Sequence, residues 1–336
     1  MKRIIFIFSG LLIISVFAGV IYVNTQWSQP INATNENFNV PKGKGFSWVA
    51  NQLEAKGVIS NALTFKLLQR VKYPSIQIKA GEFKLDESLS QAQLIEKLDK
   101  GEVITYQITL IDGWSFKQFK QHLTKDNQLL KKATNMSDQD ILNAIGAKES
   151  HLEGLFAPET YFFQKGDSDL DILKRSYEKQ QTNLASAWEV FEKDERNQPF
   201  QKHIDSPYKA LILASIIEKE TGKESERETI SGVFYNRLRI GMKLQTDPTV
   251  IYGMGDSYKG NIRRKDLRTD TIYNTYTRYG LPPTPIAMPG KASILAALQP
   301  KNTPALYFVG KGDGSHYFSK TLKEHNRAVA KYQLGR

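Results

Sequence analysis

An uncharged apolar run near the N-terminus constrains the fold of this chain more than any other feature. The run extends from Ile4 to Val23 and directly follows two basic residues, Lys2 and Arg3. A helix of ~20 apolar residues is long enough to cross the ~30 Å hydrocarbon core of a bilayer. The sequence therefore predicts one transmembrane helix over residues 4–24, and no second run of this length follows it.

The charges on either side of this run predict its orientation. Two basic residues precede it, whereas the next charged residue after it is Glu36. Under the positive-inside rule, residues 1–3 are cytoplasmic and the rest of the chain lies across the membrane. A cleaved signal peptide is the alternative. Its apolar core would have only ~7–15 residues and would end at a small-residue cleavage motif, which this run lacks.

The composition is that of a folded globular protein. The 336 residues are 40% hydrophobic and 24% charged, and a chain of this length predicts two or three domains. The absence of cysteine excludes disulfides, thiolate metal sites and cysteine catalysis. The net charge of +11 fits either solubility or attraction to an acidic polymer. Because no arginine-rich run is interleaved with aromatic residues, nucleic acid is not an expected partner.

The chain after the apolar run divides into three parts. Residues 25–37 are polar and unpatterned, which indicates a linker. Residues 38–104 predict a small α+β module, and residues 105–336 predict a larger mixed α+β domain. The stretch "ALYFVGKGDGSHYFS" in the larger domain predicts a β-hairpin. Serines that precede helical patterns are predicted N-caps: Ser47, Ser90 and Ser115.

The stretch "KALILASIIEKETGKESERE" contains an apolar helix that ends on a carboxylate. Residues 210–217 are apolar except for Ser215, and Glu218 shares their face because helix neighbours lie three or four positions apart. Desolvation, the neighbouring glutamates and the negative end of the helix dipole all favour the protonated form of Glu218. A carboxylic acid of this kind can donate a proton to a leaving oxygen. The alternative is an ordinary helix-end residue paired with a nearby lysine or arginine.

Other catalytic chemistries lack their motifs. The sequence has no H-E-x-x-H, and its five histidines have no metal-ligand spacing, so no metal site is expected. It has neither a P-loop nor a G-x-G-x-x-G after a strand, so no cofactor is expected. The tyrosine, asparagine, glutamine and carboxylate side chains that remain suit sugars, whose hydroxyls need hydrogen bonds and whose apolar faces stack on rings.

Five long motifs resemble the endolytic murein transglycosylase family of YceG-like (MltG) proteins: "LILASIIEKET", "SGVFYNRLRIGMKLQTDPTVIYGMG", "YNTYTRYGLPP", "IAMPGKASILAALQP" and "LYFVGKGDGSHYF". The resemblance implies a single-pass inner-membrane enzyme with a LysM-like module, here residues 38–104, before a periplasmic catalytic domain, here residues 105–336. It implies cleavage within nascent peptidoglycan strands, which limits their elongation, and contact with penicillin-binding synthases. The glutamate of "IIEKET", which is Glu218, matches the family's catalytic acid.

The reaction implied by this resemblance needs only one essential carboxylate. Glu218 would protonate the bridging oxygen of the β-1,4 bond between N-acetylmuramic acid and N-acetylglucosamine. It would then take the proton of the muramyl C6 hydroxyl, which closes a 1,6-anhydro ring. A lysozyme-like hydrolase would need a second carboxylate. The best candidate is Asp247, followed by Glu224 and Glu159, although Asp247 also fits a turn residue that bonds its own backbone.

The expected contacts with the glycan come from side chains that donate and accept hydrogen bonds or offer an aromatic face. They are Asn236, Gln245, Thr246, Asp247, Tyr273, Asn274 and Tyr276. Core packing is the alternative role for the tyrosines. A non-catalytic, murein-binding scaffold of the synthesis machinery is the alternative function of the whole chain.

Overall fold

The structure is a computed structural model that describes residues 13–15, 17–22, 25–32, 37–86 and 88–335. These residues form a mixed α+β structure in which helices predominate and each sheet has two strands. Because each sheet has only two strands, the sheets cannot form a stable core by themselves.

The predicted transmembrane helix over residues 4–24 is wrong for the part of the chain that the structure describes. The described residues 13–15, 17–22 and 25–28 are helical. No helix among the described residues is long and apolar enough to cross a bilayer, which requires ~20 consecutive apolar residues. The rest of the predicted segment lies outside the described residues. The single-pass inner-membrane localisation, with a cytoplasmic N-terminus and a periplasmic catalytic domain, loses its support with this helix.

The secondary-structure elements are named here in chain order. The helices are α1 (Phe46–Ala55), α2 (Ala62–Lys72), α3 (Gln91–Lys100), α4 (Phe116–Lys125), α5 (Asp138–Ile145), α6 (Asp169–Lys193), α7 (Gln198–Gln201), α8 (Pro207–Glu220), α9 (Arg227–Arg239), α10 (Asp247–Met254), α11 (Arg264–Arg268), α12 (Lys291–Leu298) and α13 (Leu322–Tyr332). The strands are β1 (Phe38–Val40), β2 (Gly81–Phe83), β3 (Tyr106–Thr109), β4 (Thr160–Phe163), β5 (Tyr307–Gly310) and β6 (His316–Ser319).

The described residues divide into two compact units. Unit 1 comprises the described residues up to Gln107 together with Phe162–Asp167. Unit 2 comprises Ile108–Tyr161 and the described residues from Ser168 onward. The domain limits that the sequence suggested stay predictions.

Unit 1 places its core between α1, α2, α3 and the pair of strands β1 and β2. The strands are antiparallel, and Phe38 pairs with Phe83. Both rings are buried together with Leu53 and Phe65. Burying two rings and two branched or aromatic helix residues supplies the apolar contacts that a two-stranded sheet cannot provide alone.

Two of the three predicted helix N-caps are confirmed. Ser90 and Ser115 cap α3 and α4, and each forms a reciprocal capping box with the glutamine three residues later. The prediction for Ser47 is wrong, because Ser47 is the second residue of α1 and the N-cap is Gly45. Gly45 has the extended backbone conformation of an N-cap but makes no side-chain hydrogen bond. A pattern that looks for serine N-caps therefore does not find it.

Helix α8 is the central helix of unit 2 and carries Glu218 in its last turn. It begins after Ser206, whose hydroxyl accepts a hydrogen bond from the Lys209 N–H, and it ends at Glu220. Residues 210–217 are all buried, and α8 packs against α6, α9, α10 and α12. A helix buried on all sides cannot rotate without exposing apolar surface, so this packing fixes the direction of the Glu218 side chain.

The predicted hairpin in unit 2 is confirmed. Strands β5 and β6 pair antiparallel, from Tyr307 opposite Ser319 to Gly310 opposite His316. Helix α13 packs against both strands. The hairpin and α13 together form one wall of the cavity described below.

Candidate active site

Glu218 lies at the end of the buried helix α8, where two donors surround its carboxylate. The Gly290 N–H donates to Oε2 at 3.0 Å, and Nη2 of Arg227 lies 3.8 Å from Oε1. Only 8% of the Glu218 side chain is exposed. A main-chain N–H and a guanidinium both stabilise a carboxylate, so this site can hold Glu218 after it has given up a proton.

Two main-chain segments from distant parts of unit 2 meet beside Glu218. The Gly113 N–H donates to the Met288 carbonyl at 2.9 Å, and the Met288 N–H donates to the Trp114 carbonyl at 2.7 Å. The ammonium of Lys219 donates to the Gly113 carbonyl at 3.0 Å. These bonds hold both segments against the end of α8, so the surroundings of Glu218 are set by tertiary contacts.

A second carboxylate, that of Asp112, lies beside Glu218. A Cβ atom placed on Gly290 would lie 2.2 Å from Asp112 Oδ1 and 3.5 Å from Glu218 Oε2. Burial and the negative charge of Glu218 raise the pKa of Asp112, while the positive charge of Arg227 opposes the shift. Sequence reasoning missed Asp112, because no motif singles out the "LIDGW" stretch in which it lies.

Glu220 lies on another side of α8 and lines a separate cavity. Two positions along a helix turn a side chain by ~200°, so Glu218 and Glu220 cannot face the same space. The cavity has a volume of about 390 Å³. Burial raises the pKa of Glu220 to about 7; nearby Asp247 also raises it and Arg237 lowers it. Glu220 is therefore a carboxyl group that binds a proton near neutral pH.

Three of the predicted substrate contacts line this cavity, namely Gln245, Asp247 and Tyr276. The Tyr276 hydroxyl donates to Asp247 Oδ1 at 2.5 Å, which fixes that carboxylate at the start of α10. Gln245 has a φ of 48°, a left-handed conformation that is unfavourable for a residue other than glycine. Its N–H donates to the Thr275 carbonyl at 3.2 Å, which helps to hold this conformation.

The two predicted asparagine contacts are engaged in the protein's own hydrogen bonds. Asn274 is buried, and its amide donates to three main-chain carbonyls within residues 266–269. The Asn236 amide donates to two main-chain carbonyls within residues 303–305. Both side chains hold loops in place, so in this arrangement their donors are not available to a ligand.

The remaining two predicted contacts, Tyr273 and Thr246, also face other parts of the protein. The Tyr273 hydroxyl lies 2.9 Å from Thr284 Oγ1, and its ring meets the Tyr252 ring edge-on with 4.8 Å between centroids. Thr246 is 2% exposed, and its N–H donates to Thr275 Oγ1 at 3.1 Å. These contacts hold both side chains against other parts of unit 2.

Glu153 is a buried carboxyl group of unit 2 that sequence reasoning also missed. Its Oε1 accepts a hydrogen bond from the Phe116 N–H at 3.0 Å, and its Oε2 accepts one from the Tyr252 hydroxyl at 3.1 Å. Burial raises the pKa of Glu153 to about 7. Because its partners are the first residue of α4 and a side chain of α10, Glu153 joins elements of unit 2.

Glu153→Gln is expected to remove part of the pH dependence of stability. The unfolded glutamate has a pKa of ~4.3, whereas burial raises the pKa of folded Glu153 to about 7. The folded protein binds this proton more tightly than the unfolded chain does. The contribution of Glu153 to the free energy of unfolding is therefore full at pH values below the unfolded pKa, and it is lost as the pH rises through about 7. Urea unfolding at a series of pH values should show a steeper fall in wild type than in Glu153→Gln. Curves that run parallel contradict this role.

The site as a whole has the features of an acid–base catalyst for a polar substrate. It offers two neighbouring carboxyl groups at a helix end and a separate polar cavity whose lining includes tyrosines. Within the described part of the chain, no three histidine, aspartate or glutamate side chains converge as metal ligands would. The side chains around Glu218 and in the cavity include proton donors, proton acceptors and hydrogen-bonding groups.

Comparison with known proteins gives the family. The model of the YceG-like family matches residues 38–331. The chain therefore belongs to the YceG-like family. A protein named "Endolytic murein transglycosylase" from Bacillus subtilis (strain 168) is 33% identical to it over 316 residues, which cover 89% of this chain and 85% of that protein.

Two further comparisons extend this finding. A Streptococcus pneumoniae (serotype 2, strain D39) protein of the same name is 26% identical over 339 residues, which cover 90% of this chain but only 60% of that protein. A crystal structure of a yceG-like protein from Listeria monocytogenes superposes with a TM-score of 0.54 at 32% identity, and the match covers 88% of this chain and 99% of that one.

Proposed function

We propose that this protein is an endolytic murein transglycosylase, which cuts peptidoglycan glycan strands internally and thereby limits their elongation. The observation that carries the proposal is the 33% identity to the Bacillus subtilis protein of that name over 85% of its length. Peptidoglycan is an acidic polymer, and the net charge of +11 favours its binding. A LysM-like role for residues 38–104 and contact with penicillin-binding synthases stay predictions.

Glu218 is the general acid of the proposed reaction. It protonates the bridging oxygen of the β-1,4 bond between N-acetylmuramic acid and N-acetylglucosamine, and the bond breaks through an oxocarbenium-like state. Its burial in the last turn of α8 supports this role, because the packing of that helix fixes the direction in which the carboxyl group points. The Gly290 N–H and Arg227 then stabilise the carboxylate that is left.

The same carboxylate completes the reaction as a base. It takes the proton of the muramyl C6 hydroxyl, and O6 forms a bond to C1 as the leaving oxygen departs with the first proton. The products are a 1,6-anhydro end and a free N-acetylglucosamine end, and no water is consumed. Glu218 returns to its protonated form, so one carboxyl group serves both steps.

The cavity beside Glu220 supplies contacts with the glycan or its peptide stems. Gln245, Asp247 and Tyr276 line it and offer donors, acceptors and a ring face. Its volume of about 390 Å³ is in the range of small-molecule pockets. Asn274 accepts a hydrogen bond from the Tyr276 N–H, and the Thr246 N–H bonds to Thr275, so both support the segments that carry the lining residues. Asn236 and Tyr273 bond to other segments, at Thr303 and Thr284.

Asp247→Asn is expected to lower turnover by about tenfold or less and to leave the product unchanged. Asparagine can still accept the hydrogen bond from Tyr276, so the loss reflects weaker substrate contact. A lysozyme-like hydrolase that uses Asp247 as its second carboxylate predicts complete loss instead. Tyr276→Phe is the matched control, because it removes the hydrogen bond that Asp247→Asn keeps and leaves the charge of Asp247. Rates of fragment release from uncrosslinked strands measure both variants.

Digestion of uncrosslinked and mature murein side by side tests the proposed function against the scaffold alternative. Wild type is expected to release soluble fragments of varied length, as internal cleavage requires. Glu218→Gln is expected to release none while still sedimenting with murein. If wild type binds murein but releases nothing from either substrate, the scaffold is the better account.

A further inference from the structure

The residues that follow β3 carry a carboxylate that the mechanism above does not use. Asp112 is exposed to solvent on one side. Its Oδ1 nevertheless lies 2.2 Å from the position that a Cβ on Gly290 would occupy, and Glu218 Oε2 lies 3.5 Å from the same position. The two carboxyl groups therefore approach each other across Gly290.

A glycine is needed at position 290 because it leaves room for this approach. Its backbone conformation does not require glycine. Its φ of −70° and ψ of 164° are open to any residue. Its N–H donates to Glu218 Oε2 at 3.0 Å, which any residue except proline could also do. A side chain at this position would occupy the space that the Asp112 carboxylate fills, so glycine is what permits the carboxyl pair.

Four charged groups act on Asp112 or its immediate surroundings. Burial raises its pKa, as do the charge of Glu218 and, more weakly, that of Glu159, while Arg227 lowers it. The ammonium of Lys219 donates to the main-chain carbonyl that follows Asp112. The two carboxyl groups repel each other when both are ionised, and the repulsion is relieved when the pair binds one proton.

We propose that Asp112 is a positioning residue that keeps a proton on the carboxyl pair for Glu218 to donate. This inference rests on the proposed function, because it requires Glu218 to be the general acid. In this role Asp112 acts through Glu218 and not on the reacting atoms. Its negative charge makes the pair bind its first proton more tightly, and Glu218 delivers that proton to the bridging oxygen.

The proposal fixes the sign of a pH effect. Bond cleavage needs one proton on the pair, and the charge of Asp112 favours that state, so activity persists to higher pH when Asp112 is present. Without this charge, the alkaline limb of kcat/KM moves to lower pH by roughly one unit. At pH values below the limb the variant and the wild type differ little, because the pair is already protonated.

The pH profile of kcat/KM on purified uncrosslinked glycan strands tests the proposal with Asp112→Asn, which keeps the shape of the side chain and removes its charge. The expected result is an alkaline limb shifted to lower pH by roughly one unit, so that the loss is about tenfold above the limb. Glu189→Gln removes an exposed carboxylate on α6 that pairs with Lys193 and is expected to follow wild type. An Asp112→Asn profile reduced equally at every pH overturns the proposal.

Gly290→Ala tests the same contact by geometry and decides the case if Asp112→Asn does not fold. The added Cβ collides with the Asp112 carboxylate, so the alkaline limb should shift in the same direction. In the double variant with Asp112→Ala, Gly290→Ala should cause no further loss of activity, because the carboxylate with which its Cβ collides is absent. If the activity losses of the two single variants add in the double variant, the proposal is overturned. Thermal unfolding of each variant shows whether it is folded.

Failure of the proposed function would look different from failure of this inference. If wild type releases no fragments, or if Glu218→Gln is as active as wild type, the reaction or the general acid is wrongly assigned. If Glu218→Gln is inactive and Asp112→Asn keeps the wild-type alkaline limb, only the role of Asp112 is wrong.

Discussion

Glu218→Gln is expected to lower kcat/KM for uncrosslinked glycan strands by about 10³-fold or more. Glutamine keeps the size of the side chain and can still accept the hydrogen bond from the Gly290 N–H. It has no acidic proton to donate and cannot act as a base. Because the mechanism uses this one carboxyl group in both steps, no other residue replaces it. The measurement is the rate of soluble fragment release at several substrate concentrations.

Glu220→Gln is the matched control, since it makes the same substitution two residues further along α8. Burial raises the pKa of Glu220 to about 7, so by protonation alone Glu220 is a rival acid. It lines the cavity with Asp247 and Tyr276, and we expect its replacement to cost about tenfold or less, mainly in KM. A larger loss in Glu220→Gln than in Glu218→Gln would transfer the role of general acid to Glu220.

Gly232→Ala is expected to destabilise unit 2 by about 2 kcal/mol, although helix propensity alone predicts a gain of ~1 kcal/mol. Gly232 lies inside α9, and a Cβ there would lie 2.2 Å from the Lys301 carbonyl oxygen and 2.9 Å from Thr303 Cγ2. The Lys301 N–H donates to the Glu228 carbonyl at 3.0 Å, which fastens this loop to α9. The loop therefore cannot withdraw without breaking that bond. We expect the destabilisation from overpacking to exceed the gain in helix propensity.

Gly222→Ala is the control for Gly232→Ala. No atom lies within 4 Å of a Cβ at Gly222, so the stability should change by less than ~1 kcal/mol. Urea unfolding at one pH compares both variants with wild type. Stability of Gly232→Ala equal to or above that of wild type would show that the close approach of α9 to Lys301 is absent.

The features that could be predicted from the sequence are those set by local interactions. The apolar run of residues 210–217 predicted a buried helix that ends near Glu218, and α8 is such a helix. Ser90 and Ser115 were predicted as N-caps because a cap bonds within one turn of its own helix. The glycine-rich turn between two β-forming runs predicted the hairpin of β5 and β6.

The features that could not be predicted depend on contacts between distant segments. Asp112 and Glu218 come together at Gly290, in a region where Gly113 bonds to Met288, which is distant in the sequence. Asn274 looked like a glycan contact, yet its amide is consumed by main-chain carbonyls that only the folded loop brings together. Such bonds leave no local pattern in the sequence.

One part of the site was within reach of sequence reasoning. Side chains at positions i and i+2 of a helix point to different sides, so Glu218 and Glu220 had to face different spaces. The cavity residues Gln245, Asp247 and Tyr276 lie with Glu220. The apolar N-terminal run was read from hydropathy alone, and among the described residues no spanning helix corresponds to it.

The masses of the glycan ends left by the wild-type protein test the central claim most directly. If Glu218 first donates a proton and then removes one from the C6 hydroxyl, every cut leaves a 1,6-anhydro end, one water lighter than a reducing end. We expect such ends from uncrosslinked strands and none in a parallel digest with Glu218→Gln. Reducing N-acetylmuramic acid ends from the wild-type protein would contradict this mechanism and would mean that water, activated by a second group, completes the reaction.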